Sequence, residues 1–316
     1  MIDTSIISKI ARIQLGLPMN PQDMDRSGRL FELLKNKTIS KKILCPQGDQ
    51  EEEIKLYIPS SYDHRQFLLK CHEIQLKLSH GSSFKHRKEI EAIQRQQFMS
   101  AFTKNICNIE IDFLDVFIPS TKTEFFGTNL INDIPPSGKM TDLSSLQALK
   151  DSYYSLLETA RQQNVADGLT YEEELIKEYQ GLIQATAVVF ENYQKTGDFS
   201  QVNHFLQPLK EWENINSDSD DIAGLRKFLF SEHYKSISNV EIESKLYAKI
   251  LTGPKIEIGD SMDINHLATM IPYNNFIIAD NKMKNLVIEL KIDKKYGARI
   301  FSIKDYDEIE KVLSKI

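Results

Sequence analysis

Asp263-Ile264-Asn265-His266-Leu267-Ala268-Thr269-Met270-Ile271-Pro272-Tyr273-Asn274-Asn275-Phe276-Ile277-Ile278-Ala279-Asp280 is the stretch on which the reading of this chain turns. It predicts a helix over Met262–Met270 and then, over Asn275–Asp280, a buried strand with an acid at its C-terminal end. A short continuous apolar run is what a strand buried on both faces shows. The pattern continues outward, with Lys255–Asp260 leading into the helix and Asn281–Leu290 reading as another helix. Ala298-Arg299-Ile300-Phe301-Ser302 reads as a last short strand, and Asp305–Ile316 as a terminal helix with acids at its start and lysines at its end, in accord with the helix macrodipole.

The same texture occurs at the other end of the chain. Ile2–Ala11 is short and apolar, and Asp3 falls at the end of a very short strand that feeds a helix, the place where α/β sheets hold ligands. Leu30, Phe31, Leu33 and Leu34 predict a helix over Met24–Asn36. Lys42-Ile43-Leu44-Cys45-Pro46 reads as a second short buried strand ended by proline, and Asp49–Leu56 as a helix with Glu51-Glu52-Glu53 in its first turn. Between these ends, from about Ser61 to Tyr247, the chain is long, charged and helical in pattern, including Phe67–Leu78, His86–Ile106, Leu143–Gln163, Tyr171–Lys195 and Val202–Trp212. Loops are expected at Ile118-Pro119-Ser120, Asp133–Gly138, Gly197-Asp198 and Asn214–Asp221. The fold class is therefore α/β: residues 1–60 and 250–316 close into one parallel-core sheet, and residues 61–249 form a large, mostly α-helical insertion.

Composition narrows the function classes. The chain has 316 residues, of which 41% are hydrophobic and 27% charged, enough apolar material for a real core. Lys and Arg number 39 against 45 Asp and Glu, a net charge of −6, which argues against coating nucleic acid by bulk charge while leaving room for a local basic track. Cys45, Cys71 and Cys107 are too few and too far apart for a disulfide framework or a zinc knuckle, so buried free thiols in a reducing cytoplasm are expected. The acid at position 3 does not suit an export signal, and no run reaches the ~18–20 apolar residues of a membrane helix. The seven histidines make no HExxH spacing, and His266 reads as a packing or surface residue. Nucleotide-binding glycine motifs and the GxSxG elbow are missing from the sequence.

Four acidic positions remain, each just after a predicted short strand or on the first turn of a helix facing such a strand end: Asp3, the Glu51–Glu53 cluster, Asp263 and Asp280. Carboxylates gathered at the C-terminal edge of a parallel sheet repel one another unless a hard cation sits among them, and Mg²⁺ or Mn²⁺ prefers such oxygen ligands. The ordinary roles of these acids are helix caps and first-turn charges. Two groups of cations stand out, Lys85-His86-Arg87-Lys88 with Arg95, and Lys282, Lys284 and Arg299 among the basic residues near the last strands; either suits a phosphate backbone or a solvated face.

Asp3-Thr4-Ser5, Cys45-Pro46 leading into Glu51-Glu52-Glu53, Asp263-Ile264-Asn265-His266-Leu267-Ala268 and Ile277-Ile278-Ala279-Asp280 resemble, in order and context, the acidic motifs of PIN-domain nucleases. The segment from Met270 to Asp280, followed by Tyr296-Gly297-Ala298-Arg299-Ile300-Phe301-Ser302, is similar to the ending of bacterial PIN-like proteins. The resemblance covers about residues 1–60 and 250–316; the helical middle departs from the compact family pattern. It implies a PIN-like fold and a metal-dependent endoribonuclease of toxin or defence type, in which Asp3, Glu53, Asp263 and Asp280 bind Mg²⁺ or Mn²⁺, with Glu52 as the alternative second acid. It further implies an RNA substrate, DNA less often, with Lys282, Lys284 and Arg299 as its contacts. Thr4 or Ser5 would support the first acid, and Asn281 would touch a metal-bound water. A protein regulator on the helical insertion and self-association are the other partners implied. The competing expectation is a catalytically silent PIN-like scaffold whose helical insertion binds a protein or nucleic acid.

Overall fold

The computed structural model describes residues 1–48, 54, 57–59, 62–107, 109, 111–119, 143–196, 203–216 and 222–316. The chain divides into two compact units: Met1–His86, Phe117–Tyr154 and Met270–Ile316 form the first, Arg87–Val116 and Ser155–Thr269 the second.

The first unit contains α1 (Thr4–Gln14), α2 (Pro21–Ile39), α3 (His64–Ser79), β1 (Ser83–Phe84), β2 (Phe117–Ile118), β3 (Phe276–Ala279), α4 (Asn281–Glu289), α5 (Ile292–Tyr296), β4 (Arg299–Ser302) and α6 (Tyr306–Ser314). β3 and β4 run parallel, with Phe276 opposite Arg299 and Ala279 opposite Ser302. On the other side of β3, Ile2 makes a parallel bridge to Ile278: the Asp3 N–H donates to the Ile278 carbonyl at 2.9 Å and the Ile278 N–H to the Met1 carbonyl at 3.1 Å. Three parallel segments thus end at one edge, with β3 in the middle. The strands are short apolar runs because both faces are covered. Ile277, Ile278, Ala279, Ile300 and Phe301 are all buried, and the rings of Phe276 and Phe301 stack at 4.8 Å. The α/β character expected of the terminal pieces is present in this small parallel sheet and its helices.

The core of the first unit joins Ile6, Ile7 and Ile10 of α1, Leu30 and Leu34 of α2, and Phe67, Cys71 and Ile74 of α3 to Ile278, Phe301, Ile309 and Leu313. Each such aliphatic side chain contributes about 1.5–3 kcal/mol on full burial. α3 carries the same charged texture as the helices of the chain's middle, yet its buried face belongs to this core. The strand expected at Lys42–Pro46 does not form. Lys42 and Ile43 both direct their N–H groups to the Lys37 carbonyl, closing the end of α2, and Pro46 has no N–H to give a neighbour. Ile43 and Cys45 still pack against the core half-buried, and Gln47 makes a single parallel bridge to Ser83. Of the helix expected over Asp49–Leu56, Ile54 is helical and buried, and the others lie outside the described residues. β1 and β2 pair antiparallel, with Ile118, the first residue of the loop expected at Ile118-Pro119-Ser120, opposite Ser83.

The second unit is helical, including Arg87–Thr103, Tyr171–Thr196, Asn203–Ile215, Ile222–Leu229, Ser238–Leu251 and Asp260–Met270. Trp212 stacks on Phe228 with centroids 6.1 Å apart, Phe102 meets Phe228 edge-on at 5.6 Å, and Met99 and Ile237 close the cluster. The helices Tyr171–Thr196 and Ser238–Leu251 pack along each other. The loops expected at Asp133–Gly138 and Gly197-Asp198 lie outside the described residues. Among the described residues, no helix is long and apolar enough to cross a membrane.

Candidate functional site

Asp3 directly follows the Ile2 bridge and is the N-cap of α1: its backbone is extended and its Oδ1 accepts the Ser5 N–H at 2.8 Å and the Ser5 hydroxyl. Asp280 directly follows β3 and is the N-cap of α4, its Oδ1 accepting the N–H groups of Lys282 at 2.7 Å and Met283 at 3.2 Å. Neighbouring strands lie about 4.8 Å apart, so the two aspartates stand on adjacent strand ends at one edge of the sheet. Each faces the positive end of a helix macrodipole, which favours the charged carboxylate. Capping needs only Ser, Thr, Asn or Asp. Choosing Asp at both positions places two negative charges on neighbouring strands, an arrangement that capping alone does not require.

The third strand end is polar too. Ser302, opposite Ala279 in the register, opens a capping box with Asp305, whose Oδ2 accepts the Ser302 N–H at 2.7 Å and hydroxyl at 2.8 Å. Lys284 reaches the same oxygen from α4 at 2.8 Å. Burial works against the charge of Asp305, but the hydrogen bonds from Lys284 and Ser302 outweigh it and hold the carboxyl below its ordinary range. Sequence reasoning passed over Ser302 and Asp305; the Ser-x-x-acid spacing of a capping box was the signal that marks them. Ser302 Oγ also lies 3.5 Å from the Asn281 amide oxygen.

Lys282 is half-buried beside Asp280. Lys284 is the ion-pair partner of Asp305 rather than a cation facing solvent. Arg299 opens β4, which places it about 10 Å along the strand from Ser302, at the edge opposite to Asp3 and Asp280. Asp263 lies on the first turn of the helix Asp260–Met270 in the second unit, half-buried. The nearby Asp260 is buried, its carboxylate accepting the Glu257 N–H at 2.7 Å, a loop-closing role. Glu51, Glu52 and Glu53 lie outside the described residues. Among the described residues, no group of three His, Cys, Asp or Glu side chains is gathered to hold a metal ion.

Two other sequence expectations change. Arg95, grouped with the first basic cluster, grips Glu211 with Nε at 2.5 Å and Nη2 at 2.8 Å, and Arg87 pairs with Glu91 at 3.2 Å, so both serve the helical packing of the second unit. Of the cysteines, Cys71 is buried, its thiol pushed up to about 12 by desolvation, whereas Cys45 is half-buried and Cys107 exposed.

No family model matches this chain, and neither the curated proteins nor the solved structures include a match to it.

Proposed function

We propose that the first unit is the catalytic core of a metal-dependent, PIN-like nuclease that hydrolyses phosphodiester bonds, with single-stranded RNA as its substrate. The observation that carries this reading is the pair Asp3 and Asp280, two charged caps on adjacent parallel strand ends. Their donor chemistry suits a hard cation: Mg²⁺ is commonly held by one or two carboxylates, with water and substrate phosphate filling the other positions. When bound, such an ion lowers the pKa of a coordinated water and offsets charge on the phosphate oxygens. In this reading Glu53 or Glu52 adds to the acidic set.

The chain's own residues do the positioning. Ser5 locks the Asp3 carboxylate through its N–H and hydroxyl. The N–H groups of Lys282 and Met283 lock that of Asp280. Asp305 ties Lys284 to the end of β4, so this lysine supports the edge; in this reading Lys282, half-buried beside Asp280, meets a phosphate.

The test is cleavage of labelled single-stranded RNA and DNA by the full chain with Mg²⁺, Mn²⁺ or EDTA, beside an Asp3→Asn plus Asp280→Asn variant. Asn keeps both caps, so the variant removes charge and preserves the local fold. Metal-dependent cleavage that falls by about 10²-fold or more in the variant supports the reading, by analogy with the loss of one transition-state contact. Equal cleavage by the variant, or none with any metal, sinks it in favour of the scaffold.

A further inference from the structure

One turn past the acid edge, the first unit carries a cleft of about 450 Å³ between the start of α2 and the start of α6, lined by Gln22, Asp25, Arg26, Arg29, Lys304, Tyr306 and their neighbours. Its volume lies in the range of ligand sites, roughly 300–1,000 Å³. Gln22, Arg26 and Arg29 recur at helical spacing along one face of α2. The Arg29 guanidinium lies 4.3 Å over the Tyr306 ring and meets Asp25 at 3.5 Å and Glu310 at 3.8 Å, long contacts that leave a five-donor group with capacity to spare. Arg26 and Lys304 have no ion-pair partner among the described residues. Asp25 and Glu310 face Arg29, so Arg26 and Lys304 are the lining cations left to a ligand, with Asp307 beside them.

We propose that this cleft binds the phosphodiester backbone of a single strand as it leaves the acid edge. Two cations without ion-pair partners among the described residues suit the phosphates of a strand, and the Arg29 guanidinium, seated over the buried Tyr306 ring, offers its outer face to an unpaired base. Chain continuity places the cleft beside the edge: Lys304 is two residues beyond Ser302, within about 7 Å of the strand end. The inference rests on the nuclease reading only in taking the bound strand as substrate.

Binding of a fluorescent single-stranded RNA or DNA oligonucleotide to the full chain, followed by anisotropy in EDTA over a range of salt, separates the cleft from turnover. In the Arg26→Gln plus Lys304→Gln variant, affinity for the strand falls about tenfold at low salt and the log–log salt slope shrinks by about 1.4, at roughly 0.7 per lost phosphate contact. Asp307→Asn removes a competing charge and tightens binding, a change that misfolding does not produce. An unchanged affinity and slope in the double variant overturns the cleft, as does a wild-type chain that binds no single strand; cleavage by the Asp3→Asn plus Asp280→Asn variant decides the nuclease reading separately.

Discussion

In the first unit Asp3 and Asp280 stand where strands end and helices begin, whereas in the second Glu211 is buried in the body of the helix Asn203–Ile215. The local fields explain the difference. A carboxylate at a helix N-terminus is stabilised by backbone N–H groups and the macrodipole. A carboxylate buried along a helix has neither, and it must find a cation or hold a proton. Glu211 finds Arg95. Position on the element therefore separates acids suited to chemistry from acids committed to packing.

The sharpest way to break this comparison is to remove a cation from the second unit. Arg95→Ala strands the almost fully buried Glu211 carboxylate, and breaking a buried pair in this way costs about 3–5 kcal/mol. Trp212, the single tryptophan of the chain, lies in the core of the second unit and reports it alone. A urea titration followed by Trp212 fluorescence is expected to move its midpoint sharply down. An unmoved midpoint would show that Glu211 is solvated or neutral, and the contrast between the units would fail.

The sequence made the two kinds of acid unequally legible. Asp3 and Asp280 could be found because a short apolar run ending in Asp marks a strand end, and the run around Ile278 is long enough to show it. Glu211 was hidden because its partner Arg95 is 116 residues away in the chain, and no local pattern encodes that distance. For the same reason Arg95 read as a cation for phosphate. Lys284 misled in a smaller way: its nearness to Asp280 in sequence is real, but the fold returns Asp305 to it through β4. The helices were legible from their period, although α3 shares its charged pattern with the second unit and only three-dimensional packing assigns it to the first core. A strand at Lys42–Pro46 was overread, since apolar content signals burial but does not supply a partner for the backbone. β1 and β2, two residues each, are too short for any period to appear.

Protonation gives a gentler test of the same contrast. Glu178 is pushed up to about 7 by burial and then by Glu174; Glu243 is pushed up to about 7 by burial and Glu91, with Arg87 opposing and Glu178 adding a little. Both folded values lie above the ordinary 4.5, so the folded state holds more protons between about pH 4.5 and 7. Their contribution to stability is complete below about 4.5 and is lost as pH rises through 7. Glu178→Gln plus Glu243→Gln is expected to raise the melting temperature read by Trp212 by about 2–6 °C at pH 8, with little change at pH 4.5. Subtracting wild type from variant at each pH cancels the other titrating groups. A difference that grows toward acid would mean that these carboxylates are charged in the fold.

The smallest effect comes from Asp280 itself, where stability and charge separate. Asp280→Ala removes the acceptor of the Lys282 and Met283 N–H groups, and losing such a cap costs about 0.5–2 kcal/mol. Asp280→Asn retains an oxygen in the same place, and Asn is as good an N-cap as Asp, so its melting temperature should lie close to that of wild type. An edge that exists for packing would lose function only in the Ala variant, in step with stability. An edge that exists to hold a cation loses cleavage equally in both variants although only one is destabilised. That divergence between the melting curve and the cleavage rate is what an acid that binds a ligand must show, and Glu211 in the second unit, where loss of charge and loss of packing coincide, must not show it.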